Sequence, residues 1–358
     1  MSNETKRITV GNVAIGGGAP VTVQSMTNTD TRDVEATVKQ ISALADAGCD
    51  IVRSSVYDAA CAKALREIKS RITIPIVADV HFDYRLAIAA IENGADKLRF
   101  NPGNIGDESR VEALVASAKM HHVPIRIGVN AGSLEPELKK RYGTDTVKAM
   151  LESALKHVKI LEREGFDDIV LSLKASNVRD TVRVYREISK RVEYPLHIGV
   201  TETGDVENGI IKSAVGIGAL LLDGIGDTLR VSLTDDPVRE VVTGLRILRS
   251  IGLRNDDIEL VSCPTCGRTR VDLMHMVDVV NKRLPHNQGH LKVAVMGCAV
   301  NGPGEASDAD IGIAFGNGNG ILFCKGEQVF HGQAETVVEE LIRRAGEMLD
   351  EKNAAARE

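Results

Sequence analysis

Between residues 21 and 250, short apolar runs alternate with longer stretches whose apolar positions recur at helical spacing. The runs are VTVQSM (21–26), DIVRSSV (50–56), PIVADV (75–80), KLRFN (97–101), PIRIGV (124–129), DIVLSL (168–173), PLHIGV (195–200) and ALLLDGI (219–225). Runs of this length, rich in Val and Ile, suit strands buried on both faces. Segments such as DVEATVKQISALADAG (33–48) and TVKAMLESALKHVKILEREG (146–165) carry the period of an amphipathic helix. Gly48, Gly94, Gly165 and Gly252 fall where a left-handed helix cap is expected. Eight strand–helix units predict an α/β architecture, a (β/α)8 TIM barrel over residues 1–250. An open doubly wound sheet is the alternative. The count of eight, and the lack of a Gly-x-Gly-x-x-Gly turn after the first strand, argue against it.

Residues 251–257 (IGLRNDD) read as a linker, and a small α+β domain follows at 258–350. Strands are expected at 258–263 and 291–298, a helix at 270–284, a hairpin from 309–315 and 320–326, and a last amphipathic helix at 335–351. GNGNG (316–320) is read as the hairpin turn rather than a nucleotide loop, and GGGA (16–19) as a turn between two N-terminal strands. A tail at 351–358, ending KNAAARE, is expected to be disordered.

Composition narrows the classes. The chain has 358 residues, 43% of them hydrophobic, with a formal net charge of −6. No global positive field favours nucleic acid, and aromatics at 3% with no tryptophan leave little for base stacking. The N-terminus MSNETKRITV lacks the apolar core of a signal peptide, and no apolar run approaches a bilayer span. A soluble cytoplasmic protein is expected, without membrane or nucleic-acid partners, its six cysteines reduced and open to metal.

Chemistry concentrates in two places. Barrel active sites form at the C-terminal ends of the strands. Thr27, Asn28, Arg53, Asp79, His81, Arg99, Asn101, Arg126, Asn130, Lys174, Asn177, His197, Thr201, Glu202, Asp223, Arg230 and Ser232 all fall at such ends in this reading. Any one of these cations could be a structural ion pair. Arg53, Arg99, Arg126 and Lys174 converging on one rim imply an anionic ligand, and arginine forks suit phosphate oxygens. The loops TETGD (201–205) and DGIGDTLR (223–230) fall where barrels often hold phosphate.

The second place is SCPTCGR, with Cys263 and Cys266, joined by MGCAVNGPGE, with Cys298 and Glu305. Thiolates select zinc, copper(I) or iron–sulfur. Three thiolates with a weak fourth ligand suit a 4Fe–4S cluster with one open iron. A zinc site completed by His275, His286 or His290 is the alternative. The glycines flanking Cys298 leave backbone N–H groups free to approach sulfur, which favours the cluster. Cys49, Cys61 and Cys324 read as small buried hydrophobes.

Together VQSMTNTDT, RFNPGNIG, IRIGVNAGSL, LHIGVTETG, CPTCGRT and GCAVNGPGE resemble the bacterial 4-hydroxy-3-methylbut-2-enyl diphosphate synthases of the non-mevalonate isoprenoid pathway, in their shorter two-domain form. The resemblance spans nearly the whole chain. It implies two-electron ring opening and dehydroxylation of 2-C-methyl-D-erythritol 2,4-cyclodiphosphate. It also implies one 4Fe–4S cluster per chain on Cys263, Cys266 and Cys298, with Glu305 as a labile fourth ligand. Arg53, Arg99, Arg126 and Lys174 would hold the diphosphate, Asn130 and Ser232 would add neutral hydrogen bonds, and His81 and Glu202 would lie nearest the reacting carbons. Electrons would come from flavodoxin or ferredoxin.

A homodimer is expected on geometric grounds. The helix after the eighth strand returns the chain to the face remote from the rim, and seven linker residues reach at most about 25 Å. A cluster domain serving the partner's barrel avoids that strain. A zinc-dependent barrel hydrolase of phosphorylated sugars is the rival function, and a non-enzymatic redox sensor another. The sensor gives no reason for four rim cations. Radical-SAM chemistry lacks its compact three-cysteine motif near the barrel start.

Overall fold

The apolar runs of the first half become the staves of a closed parallel barrel. In a computed structural model, which describes residues 4–81, 83–101 and 108–355, the chain divides into one unit through Leu253 and a second from Arg254. Eight strands form the barrel sheet: β3 (Thr22–Met26), β4 (Ile51–Ser55), β5 (Ile76–Asp79), β6 (Lys97–Arg99), β7 (Ile125–Asn130), β8 (Ile169–Lys174), β9 (His197–Ile198) and β10 (Thr228–Leu229). Each pairs in parallel with its neighbours, β10 returns to β3, and a Leu171–Leu196 bridge closes β8 on β9. An antiparallel hairpin, β1 (Ile8–Val10) and β2 (Val13–Ile15), packs Val10 and Ile15 on Ile51 and Val77. The hairpin turns at Gly11, which has φ +57°. The glycines of GGGA form the turn between β2 and β3.

Nine helices surround the barrel among the described residues: α1 (Val34–Asp46), α2 (Ala59–Arg71), α3 (Tyr84–Glu92), α4 (Glu108–Met120), α5 (Pro136–Tyr142), α6 (Thr146–Arg163), α7 (Val178–Ile188), α8 (Val206–Leu222) and α9 (Pro237–Ser250). Most loops from the rim end in a carboxylate or amide that caps the next helix. Asp33, Asp58, Asp83, Asp145, Asn177, Asp205 and Asp236 each accept a backbone N–H of the first turn. Such caps satisfy donors that a helix start leaves unpaired. At the other end Gly48, Gly94, Gly165 and Gly252 adopt φ of +93°, +94°, +64° and +72°.

The eighth strand lies elsewhere than expected. Ala219–Leu222 form the last turn of α8, and the strand is Thr228–Leu229. Helix α8 leaves Ile211, Val215 and Leu222 exposed, so it has no polar stripe to betray its period. Asp223 and the following glycines therefore join helix to strand at the far end of the barrel. Asp223 pairs with Arg186 at 2.7 Å and is not a rim residue. The phosphate-loop expectation for residues 223–227 falls with it.

The second unit is a mixed five-stranded sheet. Strands β11 (Ile258–Ser262), β12 (Leu291–Met296) and β13 (Ile311–Phe315) run parallel, and β14 (Asn319–Cys324) and β15 (Glu327–Gln333) continue antiparallel. One face packs on α10 (Leu273–Arg283) and α12 (Ala334–Ala355) through Val293, Ile313, Phe315, Val280, Val337 and Leu341. The other face is lined by Ala294, Met296, Ala309 and Ala314, small enough to seat the short α11 (Gly302–Ser307) through Ala306. A Cβ on Gly312 would come within 2.5 Å of the Ala306 carbonyl oxygen. Strand β15 was not anticipated, and α12 carries the expected tail as helix through Ala355. Alanines favour helix, and Asn353 Nδ2 donates to the Gln288 carbonyl at 2.7 Å. Residues 356–358 lie outside the described residues.

Candidate active site

TIM barrels usually fill their interiors with Val, Ile and Leu. This one places cations there. Side chains in parallel register face the same way, so Arg53, Val77 and Lys97 share one level, and Asp79, Arg99 and Arg126 the next. Lys97 is 0% and Arg126 1% exposed, and Arg99, Lys174 and His197 are also buried. Two buried carboxylates lie nearby, Asp79 on β5 against Arg53 and Arg99, and Glu240 on α9 against Arg230.

The contacts form a chain around the rim. The Arg99 Nη1 group lies 2.9 Å from His81 Nδ1 and 3.3 Å from Asp79 Oδ1. Asp79 is 3.6 Å from Arg53. Arg53 donates through Nε and Nη2 to Met26 Sδ at 3.1 and 2.8 Å, and Arg230 reaches the same sulfur at 3.7 Å. Arg230 closes on Glu240 at 3.1 Å. Deeper in, Arg126 Nη1 donates to Gln24 Oε1 at 2.9 Å, while Arg126 Nε and Lys97 Nζ have no hydrogen-bond partner among the described residues.

Burial and mutual repulsion strain these cations. Burial, reinforced by neighbouring guanidiniums, pushes Arg126, Lys97 and Lys174 well below their ordinary values. Burial brings Arg53 to about 10 despite the Asp79 carboxylate. Burial pushes Asp79 up, but Arg53, Arg99, His81 and Arg126 outweigh it and leave the carboxyl below its ordinary value. A dianion entering this cage would relieve both the desolvation and the mutual repulsion of the cations.

Two glycines make room for the cations. A Cβ on Gly128 would stand 2.7 Å from Arg99 Nε. One on Gly199 would stand 2.9 Å from Lys174 Nζ and 2.4 Å from the Arg230 carbonyl. These are the glycines of IRIGV and LHIGV, and Lys97 shares the alternation of KLR with Arg99. Sequence reasoning passed over these glycines, Lys97, Gln24 and Glu240.

The neutral and acidic candidates sit at the strand ends. Asn130 ends β7 in register with Lys174. Asn101 bonds the Gly128 backbone at 2.8 Å through both its amide nitrogen and its carbonyl oxygen. Thr203 Oγ1 donates to the Ser232 carbonyl at 2.7 Å and ties the last two rim loops together. Glu202 is exposed with φ +52°, a left-handed conformation that costs a non-glycine residue about 1 kcal/mol or more and is commonest at functional sites. His81 is half exposed, and burial lowers its imidazole below the ordinary value. The stretch 102–107 of the RFNPGNIG motif lies outside the described residues.

In the second unit, Cys263 and Cys298 follow the ends of adjacent parallel strands, β11 and β12. The Gly297 N–H donates to Cys263 Sγ at 3.3 Å. Backbone N–H groups of Asn301, Val300 and Gly302 hold the Cys298 thiol below its ordinary value, and the Arg268 N–H does the same for Cys266. These donors favour thiolate over thiol, which is what a metal requires. All three cysteines are free, and a Cβ on Gly297 would meet Thr269 and Leu273 at 3.0 Å.

No three His, Cys, Asp or Glu side chains among the described residues converge closely enough to grip a single ion. Two of the histidines considered for zinc are engaged elsewhere. His286 bonds Asp257 at 3.1 Å and the Asn281 carbonyl at 2.7 Å, and His290 lies 3.2 Å from the Asp257 carbonyl, with Asp257 just before β11 and His290 just before β12. Glu305 lies exposed in the first turn of α11, on the segment that follows Cys298. The thiolate set fits an iron–sulfur cluster.

Two family models account for the two units. The GcpE TIM-barrel domain matches residues 5–245, and the GcpE protein C-terminal domain matches residues 259–347. The 4-hydroxy-3-methylbut-2-en-1-yl diphosphate synthase (flavodoxin) of Geobacter sulfurreducens is 57% identical, covering 99% of this chain and 100% of its own. The protein of the same name from Caldanaerobacter subterraneus subsp. tengcongensis is 55% identical, over 98% of this chain and 99% of its own. Among solved structures, a dihydropteroate synthase of Xanthomonas albilineans has a TM-score of 0.51 at 12% identity, covering 69% of this chain and 98% of its own. An N-acetylneuraminic acid synthetase of Leptospira borgpetersenii also reaches 0.51, at 14% identity, covering 78% of this chain and 98% of its own. These last two share the barrel fold.

Proposed function

This chain belongs to the GcpE family, and from that premise we infer that it is an oxidoreductase reducing 2-C-methyl-D-erythritol 2,4-cyclodiphosphate to 4-hydroxy-3-methylbut-2-enyl diphosphate. The substrate dianion takes up two electrons and one proton. One carbon–oxygen bond to the phosphate bridge breaks, a hydroxyl departs as water, and a diphosphate trianion remains. The observation that carries this reading is the barrel interior, where Arg53, Lys97, Arg99, Arg126 and Lys174 lie near two carboxylates. So much buried positive charge is costly unless an anion belongs there.

We assign Arg53, Arg99, Arg126 and Lys174 to the diphosphate, and Asn130 and Ser232 to its neutral oxygens. Anchoring the diphosphate fixes the position of the reacting carbons, which converts binding energy into orientation. We assign His81 and Glu202 to the mouth of the cage, to hold or deliver the proton that the departing hydroxyl needs. Cys263, Cys266 and Cys298, with Glu305 as exchangeable fourth ligand, would hold one 4Fe–4S cluster per chain. When bound, that cluster supplies low-potential electrons and a Lewis-acidic iron.

Flavodoxin, which the relatives' names specify, is the proposed electron donor, with ferredoxin the alternative. We further propose a homodimer in which each cluster unit serves the partner's barrel. Helix α9 ends at Ser250 and β11 begins at Ile258, and Asp257 already bonds the Ile258 and Asn287 N–H groups at 2.8 Å, so little free chain separates the units. No helix among the described residues is long and apolar enough to cross a membrane, and a reducing cytoplasm suits the free thiols.

The test is turnover of the cyclic diphosphate by anaerobically prepared, iron-loaded protein with reduced flavodoxin, followed by phosphorus NMR. The two ring phosphates should give way to the signals of a linear diphosphate ester. Protein that is brown, binds the substrate and receives electrons yet forms no linear ester would overturn the reading.

A further inference from the structure

One carboxylate in the cation cage belongs to no strand. Glu240 sits on α9 and is buried. Its Oε2 accepts from Ser25 Oγ at 2.8 Å and Arg230 Nε at 3.1 Å, and its Oε1 accepts from Arg230 Nη2 at 3.2 Å and the Leu233 N–H at 3.0 Å. Four hydrogen bonds explain how it stays. They do not explain why a negative charge is kept beside an anion receptor, where it must weaken whatever binds. The same charge opposes, as the weakest of several influences, the downward push of burial on Arg53 and Lys174, and its partner Arg230 shares the Met26 sulfur with Arg53.

The reaction supplies a reason. Opening the ring converts a doubly esterified diphosphate into a singly esterified one, so the product carries one more negative charge than the substrate. A cage of cations alone would bind product more tightly than substrate and release it slowly. A fixed anion repels the trianion more than the dianion and narrows that difference. We propose that Glu240 is a specificity-determining residue that disfavours the linear diphosphate against the cyclic one and so sets the rate of product release. This rests on the activity inferred above.

The experiment uses cluster-loaded protein without reductant and measures dissociation constants for both the cyclic and the linear diphosphate. Glu240→Gln keeps the size and an acceptor but removes the charge. It should tighten the linear ester relative to the cyclic one by about three- to thirtyfold. With reductant, a burst of one product per site should precede slow turnover. Should Glu240→Gln fold poorly alone, the same substitution in an Arg230→Met background removes the pair together and is compared with Arg230→Met. The linear ester should again gain. Ser25→Ala removes a hydrogen bond but no charge, and should lower thermal stability while leaving the ratio of the two constants unchanged. An unchanged ratio on removing Glu240 in both backgrounds overturns the proposal, as does a Ser25→Ala ratio that moves as far. A ratio that shifts in a protein unable to reduce the cyclic ester supports the charge effect and instead refutes the assigned reaction. Native protein that binds neither ester overturns both.

Discussion

Replacing Arg126 with methionine should move stability and substrate affinity in opposite directions. Arg126 is buried, leaves its Nε without a partner, and is pushed down by burial and by Arg53 and Arg99. Exchanging a buried ion pair for apolar chains of similar volume has gained up to about 1–4 kcal/mol in other proteins, and the Arg126 cation carries the same desolvation cost. Losing the hydrogen bond to Gln24 subtracts about 1 kcal/mol. The net is about 0–3 kcal/mol of added stability, or a melting temperature raised by up to roughly 10 °C for a domain of this size. Binding loses a charge-assisted contact of about 1.5–3 kcal/mol, a drop of about 10- to 150-fold in affinity. The assay pairs thermal unfolding with calorimetric titration of the cyclic diphosphate in the absence of reductant. A melting point several degrees lower with unchanged affinity would show Arg126 to be a strut of the barrel and refute its assignment to the ligand.

The remaining expectations concern other links. Anaerobic protein should be brown with about four iron and four sulfide per chain; Glu305→Cys should keep the cluster and abolish turnover, because a thiolate does not yield to substrate oxygen, and full activity in that variant removes Glu305 from the mechanism. Burial, then Arg126, Lys174 and Lys97, depress the His197 imidazole, and burial depresses His157. The unfolded chain therefore binds protons that the native state does not, and stability should fall as pH drops below about 6.5, by up to about 1.4 kcal/mol per pH unit for each histidine. Denaturant titrations between pH 5 and pH 7 (about the range of histidine titration) that show a flat profile contradict this, and His197→Gln should shrink the slope. Gly199→Ala should displace Lys174 or the Arg230 backbone and weaken binding of the cyclic diphosphate with little loss of cluster; native affinity would mean that this glycine is not a spacer. Mixing Cys298→Ser chains with Arg126→Ala, Lys174→Ala chains should restore activity neither parent shows, after subunit exchange, whereas a fully active monomer at assay dilution rules out sites shared between chains.

Much of the barrel was legible because its first seven strands are apolar runs bounded by turns. The eighth was not, because β10 is two residues long and α8 offered a more apolar run beside it. Arg53, Arg99, Arg126 and Lys174 could be read because each lies in a short buried strand, and the strands of a barrel gather their inward side chains in one interior. Glu240 could not, since its contact with Ser25 joins positions 215 residues apart and sits in an ordinary amphipathic helix. The cysteines were legible by spacing, and the glycines around Cys298 already favoured a cluster over zinc. What the sequence could not show is that His286 and His290 are spent on Asp257 and its neighbours, while Cys263 and Cys298 follow the opposite ends of β11 and β12.

The thioether of Met26 lies between the guanidiniums of Arg53 and Arg230. Sulfur is a weak, polarisable acceptor. A carboxylate in that place would lock both arginines, and each would have to break a strong pair before it could turn to a phosphate. An aliphatic chain would leave them to drift. The sulfur does neither: it parks the two cations at low cost and gives them up without becoming a buried acceptor in want of a donor. The same softness is a liability. Oxidised to the sulfoxide, Met26 would become a strong oxygen acceptor and tighten its hold on both arginines, so exposure to air would stiffen this corner of the barrel.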